Sequence, residues 1–295
     1  MKIGIDLGGT KTEAILIQDD GKEVYRKRIK TQKNYEGTIE GIINLIKEIE
    51  ETHGKADSIG VGMPGIVSNE NLLVKNANST WLNGKPLGKD LNNILNRKIK
   101  IENDANCFAL SESVDGAGKN YDIVFGVIIG TGTGGGIVIN NKIIQGRNQI
   151  SGEWGHTILP NQNEEDKKYV KSWWSGFDGC IESYLSGPGF SHIFNEEHKT
   201  NFDSHQIIEL FESGDKRALK ALENYVDRLA RGLSSVINIL DPDVIVLGGG
   251  MSNIDYIYSN INSIIKKYVI SDTFNTKIVK NLYGDSSGVR GAAWL

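Results

Sequence analysis

The sequence predicts an α/β protein of two domains, each built on a mixed sheet, with a cleft between them suited to a ligand. Three observations carry this. Short apolar runs stopped by glycine alternate with stretches of helical spacing, the pattern of strands covered by helices. A strand–glycine–strand pattern occurs twice, as IGIDLGGT near residue 3 and VIIGTGTGG near residue 127. The length, 295 residues, favours two domains over one.

The elements follow in order. Residues 2–6 are an apolar run ended by glycines, and 12–18 and 22–30 read as two further strands turning at Asp19-Asp20-Gly21. From Thr38 to Glu50, Ile39, Ile42, Ile43, Leu45, Ile46 and Ile49 give a helix with one apolar face. Residues 58–64 are a buried strand ending at Pro64-Gly65, followed by a helix at 88–96, a strand at 99–103 and a helix at 104–113. DGAGKN (115–120) is a linker, after which 124–140 reads as strand, glycine turn and strand, with NNK (140–142) turning into a third. Helices are expected at 205–213, 215–238 and 254–267, strands at 243–250 and 276–279, and a terminal helix at 285–295. The expected domains are 1–116, with helix 285–295 packed back on it, and a larger one at 117–284.

Composition narrows the partners. Charged residues are 24% of the chain and the formal net charge is −4, so nothing rewards a nucleic acid or an anionic membrane. Two cysteines make no disulfide framework, and no 18-residue apolar span or cleavable leader is present. A cytoplasmic location is expected.

Three glycine turns each follow a hydrophobic strand. DLGGTK (6–11) has neither Walker A nor GxGxxG spacing. It offers an acid at a strand end, two glycines, a hydroxyl and a lysine: amides for phosphate oxygens and a carboxylate for hydrated Mg²⁺. A tight hairpin explains the glycines but not Asp6 with Thr10. GTGTGGG (130–136) and VLGGGMS (246–252) repeat the offer at strand ends, where α/β sheets place ligands. Three such turns point to a shared nucleotide.

ENDAN (102–106) on its own is explained by helix capping through Asn103 or Asp104. GEWGH (152–156), with Glu and His around a buried-type Trp, is harder to assign to surface, and Glu182 follows Cys180 closely. Together Asn103, Asp104, Glu153, His156 and Glu182 suit a polyhydroxylated ligand, and a carboxylate among them suits proton removal in phosphoryl transfer.

IGIDLGGTKTE (3–13), GVGMPG (60–65), NDAN (103–106), GTGTGGG, GEWGH, GCIE (179–182), DPDVIVLGGG (241–250) and GDSSGVRGAA (284–293) resemble the ROK family of sugar kinases, over essentially the whole chain. The resemblance implies a two-domain actin-like (ribonuclease-H-like) ATPase fold. It also implies ATP- and Mg²⁺-dependent phosphorylation of a hexose hydroxyl, usually at C6, with domain closure excluding water. VKNANSTWLNGKPL (74–87) is most similar to the fructokinase and mannokinase branch, so fructose or mannose is the expected sugar. N-acetylhexosamine or glucose is the alternative, and NDANCFALSE (103–112) is similar to the N-acetylglucosamine kinase branch as well. A non-catalytic sugar-binding regulator is a further alternative; the first glycine motif at residue 3 leaves no room ahead of it for the DNA-binding domain of ROK repressors. The family also implies a homodimer.

Carried over residue by residue, Asp104 matches the catalytic base, and Asn103, Glu153, His156 and Glu182 match sugar contacts. Gly65 lies near the sugar, and Asn78 is a further contact in the segment where branches diverge. Asp6, Gly8, Gly9, Thr10, Lys11, Thr131, Gly132, Gly248 and Gly249 match the ATP side, with Asp6 holding Mg²⁺ through water.

One motif departs from the family. ROK kinases often carry a structural zinc on a histidine and three cysteines in CxCGxxGCxE; here Trp173 and Ser175 stand at two of those positions, leaving Cys180 and His156. Two ligands and a serine do not close a tetrahedral zinc site, and Trp173 and Trp174 are expected to pack the loop instead. Metal analysis of the purified protein is therefore expected to find no stoichiometric zinc. One zinc per chain on His156 and Cys180 would overturn this.

Overall fold

The computed structural model describes residues 1–169, 176–284 and 287–295. The chain forms two compact units. Unit 1 comprises Met1–Asn120, Gly136–Ser151 and Leu282–Leu295, and unit 2 comprises Tyr121–Gly135 and Gly152–Asn281.

In unit 1, strands β1 (Lys2–Leu7), β2 (Lys11–Ile17) and β3 (Glu23–Lys30) form an antiparallel meander. Strands β4 (Ser58–Met63) and β7 (Lys100–Asn103) extend it in parallel with β1, giving the order β3-β2-β1-β4-β7. The short pair β5 (Ile66–Val67) and β6 (Val74–Lys75) stands apart. Strand alternation sends Ile3, Ile5 and Leu7 of β1 and Ile59, Val61 and Met63 of β4 to one face. There they meet the apolar stripe of α1 (Tyr35–His53), including Ile42, Ile46 and Ile49, and Leu91 of α2 (Leu87–Leu95).

The alternate positions on the other face are Gly4 and Asp6 on β1, and Gly60 and Gly62 on β4. Against them lie α3 (Asp104–Val114) and the C-terminal helix α10 (Ser287–Trp294). Backbone meets backbone here: a Cβ at Gly4 would stand 2.1 Å from the Val289 carbonyl, one at Gly60 1.9 Å from that of Ala292, and one at Gly291 1.7 Å from that of Cys107. Only glycine permits this approach. Ser287 Oγ donates to the buried carboxylate of Glu112 at 2.7 Å, and Arg290 pairs with Asp115, so α3 and α10 are also joined by charge.

The second sheet has the order β10-β9-β8-β11-β12, from β8 (Ile123–Ile129), β9 (Thr133–Ile139), β10 (Lys142–Ile143), β11 (Val244–Gly248) and β12 (Lys277–Lys280). β11 runs parallel to both β8 and β12, repeating the pattern of β1, β4 and β7. The duplication read from the two glycine turns is thus a duplication of strand order. Unit 2 adds α4 (Glu164–Lys168), α5 (Ile181–Leu185), α6 (Gly187–His198), α7 (Ser204–Glu212), α8 (Lys216–Leu240) and α9 (Asp255–Ile265). The buried face of α8, with Leu222, Tyr225, Leu229 and Leu233, forms the centre of this unit. Among the described residues no helix is long and apolar enough to cross a membrane.

The structure departs from one expectation and adds helices where none was expected. Residues 117–284 do not form one unbroken unit, because the chain passes to unit 1 at Gly136 and leaves it after Ser151. The cause is local: Gly136 packs on α3, where a Cβ would stand 2.8 Å from the Ala105 carbonyl, and Ser113 and Asn141 share a hydrogen bond of 2.8 Å. The helices between 164 and 198 were not read from the sequence. In α6 the helix opens Gly-Pro-Gly, yet Ser186 caps it by accepting the Gly189 amide at 3.1 Å and Pro188 occupies a first-turn position that requires no N–H.

Replacing Gly60 with alanine drives a methyl group into the α10 backbone, so Gly60→Ala is expected to lose about 3 kcal/mol or more of unfolding free energy. Urea denaturation reads it; a loss below about 0.5 kcal/mol contradicts the backbone contact.

Candidate functional site

In unit 1 the sheet register brings Asp6 level with Glu13 on β2 and Gly62 on β4, and Gly62 level with Glu102 on β7. Asp6 therefore projects on the α3–α10 face, where its carboxylate lies 3.4 Å from the position a Cβ at Gly288 would take. Its pKa is pushed up to about 7, by burial first, then by the charges of Asp104 and Glu13, with Arg28 acting in the opposite sense. Glu13 itself is held by Arg26 at 3.1 Å and Arg28 at 2.9 Å. Asp6 and Asp104 are thus two acids within electrostatic reach of one another, and carboxylate oxygens are the hard donors a divalent cation takes. The residues present fit Mg²⁺ on this ground.

The first glycine turn runs directly on from β1. Gly8 donates to the Lys11 carbonyl at 3.0 Å, while the Thr31 hydroxyl donates to the Gly8 carbonyl at 2.8 Å and its amide to Thr10 at 3.0 Å. This leaves Gly9, Thr10 and Lys11 exposed at the tip. Asn103 does cap α3, accepting from the amides of Ala105 at 2.9 Å and Asn106 at 3.3 Å, and it also donates to the Gly65 carbonyl at 3.1 Å. Capping α3 and holding the Gly65 turn are therefore one arrangement. Asp104 begins the helix. Gly65, at φ +90°, packs against Lys75 and Ala77, and Ser79 reaches Gly9, so the loop bearing exposed Asn78 lies between the Gly65 turn and the first glycine turn. Unit 1 thus gathers Asp6, Gly8, Gly9, Thr10, Lys11, Gly65, Asn78, Asn103 and Asp104. Glu102 was not singled out in the sequence; it accepts from the Asn103 amide at 2.8 Å and the Asn106 side chain at 2.9 Å, and Gln145 also donates to it.

Unit 2 gathers a second set. GEWGH folds as a 3-10 turn (Trp154–His156) anchored by Trp154, whose indole N–H donates to Gly134 at 3.0 Å and whose ring meets Phe125 edge-on. Gly155 presses on the Thr133 carbonyl, where a Cβ would stand at 2.0 Å. Glu153 Oε2 lies 3.6 Å from His156 Nε2. Burial raises the Glu153 pKa; His156 pulls it down and Glu182 pushes it up, which places all three within electrostatic reach. Glu182 Oε2 accepts the Thr133 amide at 2.9 Å.

The second glycine turn, containing Thr131 and Gly132, closes with Gly130 donating to the Gly132 carbonyl at 2.9 Å. Gly130 and Thr131 line a cavity of about 530 Å³ whose other walls include Pro188, His205, Glu209, Glu212 and Met251. Of the third glycine turn, Gly250 lines the cavity and Gly248 and Gly249 do not; Gly249, at φ +82°, packs on Ile129 with only 2.5 Å left for a Cβ. The α7 side chains in that wall carry no motif, so only folding reveals them.

Cys180 is fully buried ahead of α5 and its segment bridges Ile158. The expectations at Trp173, Trp174 and Ser175 fall outside the described residues. Among the described residues no three His, Cys, Asp or Glu side chains assemble as a metal site.

A protein-family model described as the ROK family matches residues 2–295. The chain is 37% identical to an N-acetyl-D-glucosamine kinase of Mannheimia succiniciproducens over 300 residues, covering 100% of this chain and 99% of that one. It is 38% identical to one of Pectobacterium atrosepticum, covering 100% and 98%. Among solved structures it is similar to a ROK hexokinase from Thermus thermophilus, with TM-score 0.88 and 25% identity, covering 100% of this chain and 97% of that one. A ROK glucokinase from Streptomyces griseus, in complex with glucose and AMPPNP, aligns with TM-score 0.76 and 25% identity, covering 99% and 97%.

The Asp6 carboxyl gives a test in the metal-free protein. Its folded-state pKa of about 7 exceeds the ordinary 3.8, so the folded form keeps this proton to higher pH than the unfolded chain does. Asp6 therefore costs stability increasingly as pH rises from 4 towards 7, and by a constant amount above. Asp6→Asn is expected to raise unfolding free energy by about 1–3 kcal/mol at pH 8, the side chain being only half-buried, and by little at pH 4. Thermal melts across that range check it; a gain independent of pH contradicts the shift.

Proposed function

From the premise that this chain belongs to the ROK family and is a sugar kinase, we propose that it transfers the γ-phosphoryl group of ATP to the C6 hydroxyl of N-acetyl-D-glucosamine. The observation that carries the sugar is the full-length similarity, at 36–38% identity, to kinases named for it. The fructose or mannose preference expected from residues 74–87 gives way to the alternative, because relatives matching from end to end are named for N-acetyl-D-glucosamine. Specificity among hexoses turns on a few hydroxyl and amide contacts.

In this reading Asp104, at the first position of α3, accepts the proton of the sugar hydroxyl. The hydroxyl oxygen then bonds to the γ-phosphorus as the bond to the ADP oxygen breaks. In unit 1 the groups suited to a sugar's hydroxyls and amide are Asn78, Asn103 and the backbone at Gly65, and in unit 2 they are Glu153, His156 and Glu182. In unit 1 the amides of Gly9 and Thr10, and in unit 2 those of Thr131 and Gly132, are the turn donors suited to phosphate oxygens, and the cavity bordered by α7 suits the nucleoside. Mg²⁺, when bound, neutralises phosphate charge, and Asp6 holds its hydration shell. A homodimer and a cytoplasmic location belong to the same proposal; sedimentation reads the first.

Phosphorylation rates for N-acetylglucosamine, N-acetylmannosamine, glucose, fructose and mannose at matched concentration decide the substrate. N-acetylglucosamine is expected to have the highest kcat/KM, and a higher value for fructose or mannose restores the other assignment. Asp104→Asn is expected to lower kcat by about 10²–10⁴-fold with little change in sugar affinity. Sugar binding by the wild type with no turnover on any hexose refutes the kinase and favours a regulator.

A further inference from the structure

Glu182 matches a sugar contact, yet its carboxylate is also engaged with the second glycine turn. We infer that Glu182 is a brace for the nucleotide-binding turn, so that ATP affinity depends on it even without sugar; this rests on the reading of that turn as nucleotide-binding. Four observations in unit 2 carry it.

The Thr133 amide closes the turn and donates to Glu182 Oε2 at 2.9 Å, with Thr133 3% and Glu182 5% exposed. Water does not reach such a bond, and a charged acceptor makes it stronger than a neutral one. The carboxylate is also pressed against the turn itself, since a Cβ at Gly132 would stand 2.8 Å from the same oxygen. Glycine at 132 is thus needed for the brace as well as for any phosphate.

The chain beyond Glu182 grips the other end of the turn. The Ser186 amide donates to the Glu182 carbonyl at 3.1 Å, and the next residue, Gly187, donates its amide to the Gly130 carbonyl at 2.8 Å. Gly130 and Thr131, between these two attachments, form one wall of the cavity of about 530 Å³.

The brace has a rigid base. Ile181 donates to Thr157 at 2.8 Å, and Gln162 donates to Gly179 at 2.9 Å. Asp166, in the first turn of α4 just after Gln162, is buried between Arg228 at 2.8 Å and Arg231 at 2.7 Å, both from α8. Tyr184 donates to the Asp166 carbonyl at 3.2 Å, tying α5 to that ion pair. A carboxylate has about four lone-pair sites on two oxygens, so the bond to Thr133 is compatible with a sugar hydroxyl on the same group.

ADP binding to the sugar-free protein, measured by calorimetry, separates this role from a sugar contact, which would leave ADP affinity unchanged. Glu182→Ala strands the Thr133 amide and is expected to weaken ADP binding about tenfold or more. Glu182→Gln, whose amide oxygen can accept the same N–H, is expected to keep ADP affinity within about threefold while sugar turnover falls. Should the alanine variant not fold, Glu182→Met has similar length and cannot accept the bond. A folded Ala or Met variant binding ADP within about twofold of wild type overturns the brace. Failure of the wild type itself to bind ADP strikes instead at the nucleotide reading of the turn.

Discussion

The direct contact of α10 with β1, β4 and α3 is the constraint on which unit 1 depends. Three glycines, Gly4, Gly60 and Gly291, each face a carbonyl oxygen that would stand only 1.7–2.1 Å from a Cβ, far inside van der Waals contact. Helices normally stand off a sheet by the depth of their side chains; here the side chains are removed so that backbones touch. The result is a rigid floor beneath Asp6, with the first turn of α10 reaching its carboxylate through Gly288. Because Cys107 of α3 meets Gly291, the same contact fixes the helix that begins at Asp104. The two acids are positioned by one packing event, and the buried Glu112–Ser287 bond and the Arg290–Asp115 pair reinforce it.

That rigidity allows charge to be held where it is unfavourable. Asp6 is desolvated beside Asp104 and Glu13, which raises its pKa, and a flexible site would relax the acids apart. In unit 2 Glu153 is raised in the same way, by burial and by Glu182, with His156 opposing. In both clusters burial acts against the charged form of a carboxylate.

Asn103 shows why local and functional explanations need not compete. A capping residue has its backbone fixed by the helix it starts, and its amide nitrogen is then aimed without further cost at Gly65. Trp154 acts similarly: burying a large ring against Phe125 and Gly134 fixes the short turn that carries Glu153 and His156. In each case an ordinary packing or capping interaction provides the preorganisation that a binding group needs.

The sequence by itself determined the strands, most helices, the duplicated hairpins, the glycine turns and the acids beside them. These rest on short-range rules: alternation of apolar residues, helical spacing, and glycine where a turn demands it. It also marked Asp6, Asn103 and Asp104 after strand-like runs, Glu153 and His156 around a tryptophan between glycines, and Glu182 just after Cys180. Only the tertiary structure decided that Gly136–Ser151 belongs with unit 1, that α6 forms through its glycines and proline, and that His205, Glu209 and Glu212 face a cavity. It also decided that Glu182 meets Thr133, 49 residues away in the chain. Such facts depend on which surfaces meet after the chain has folded, and no local pattern of residues encodes a partner that distant.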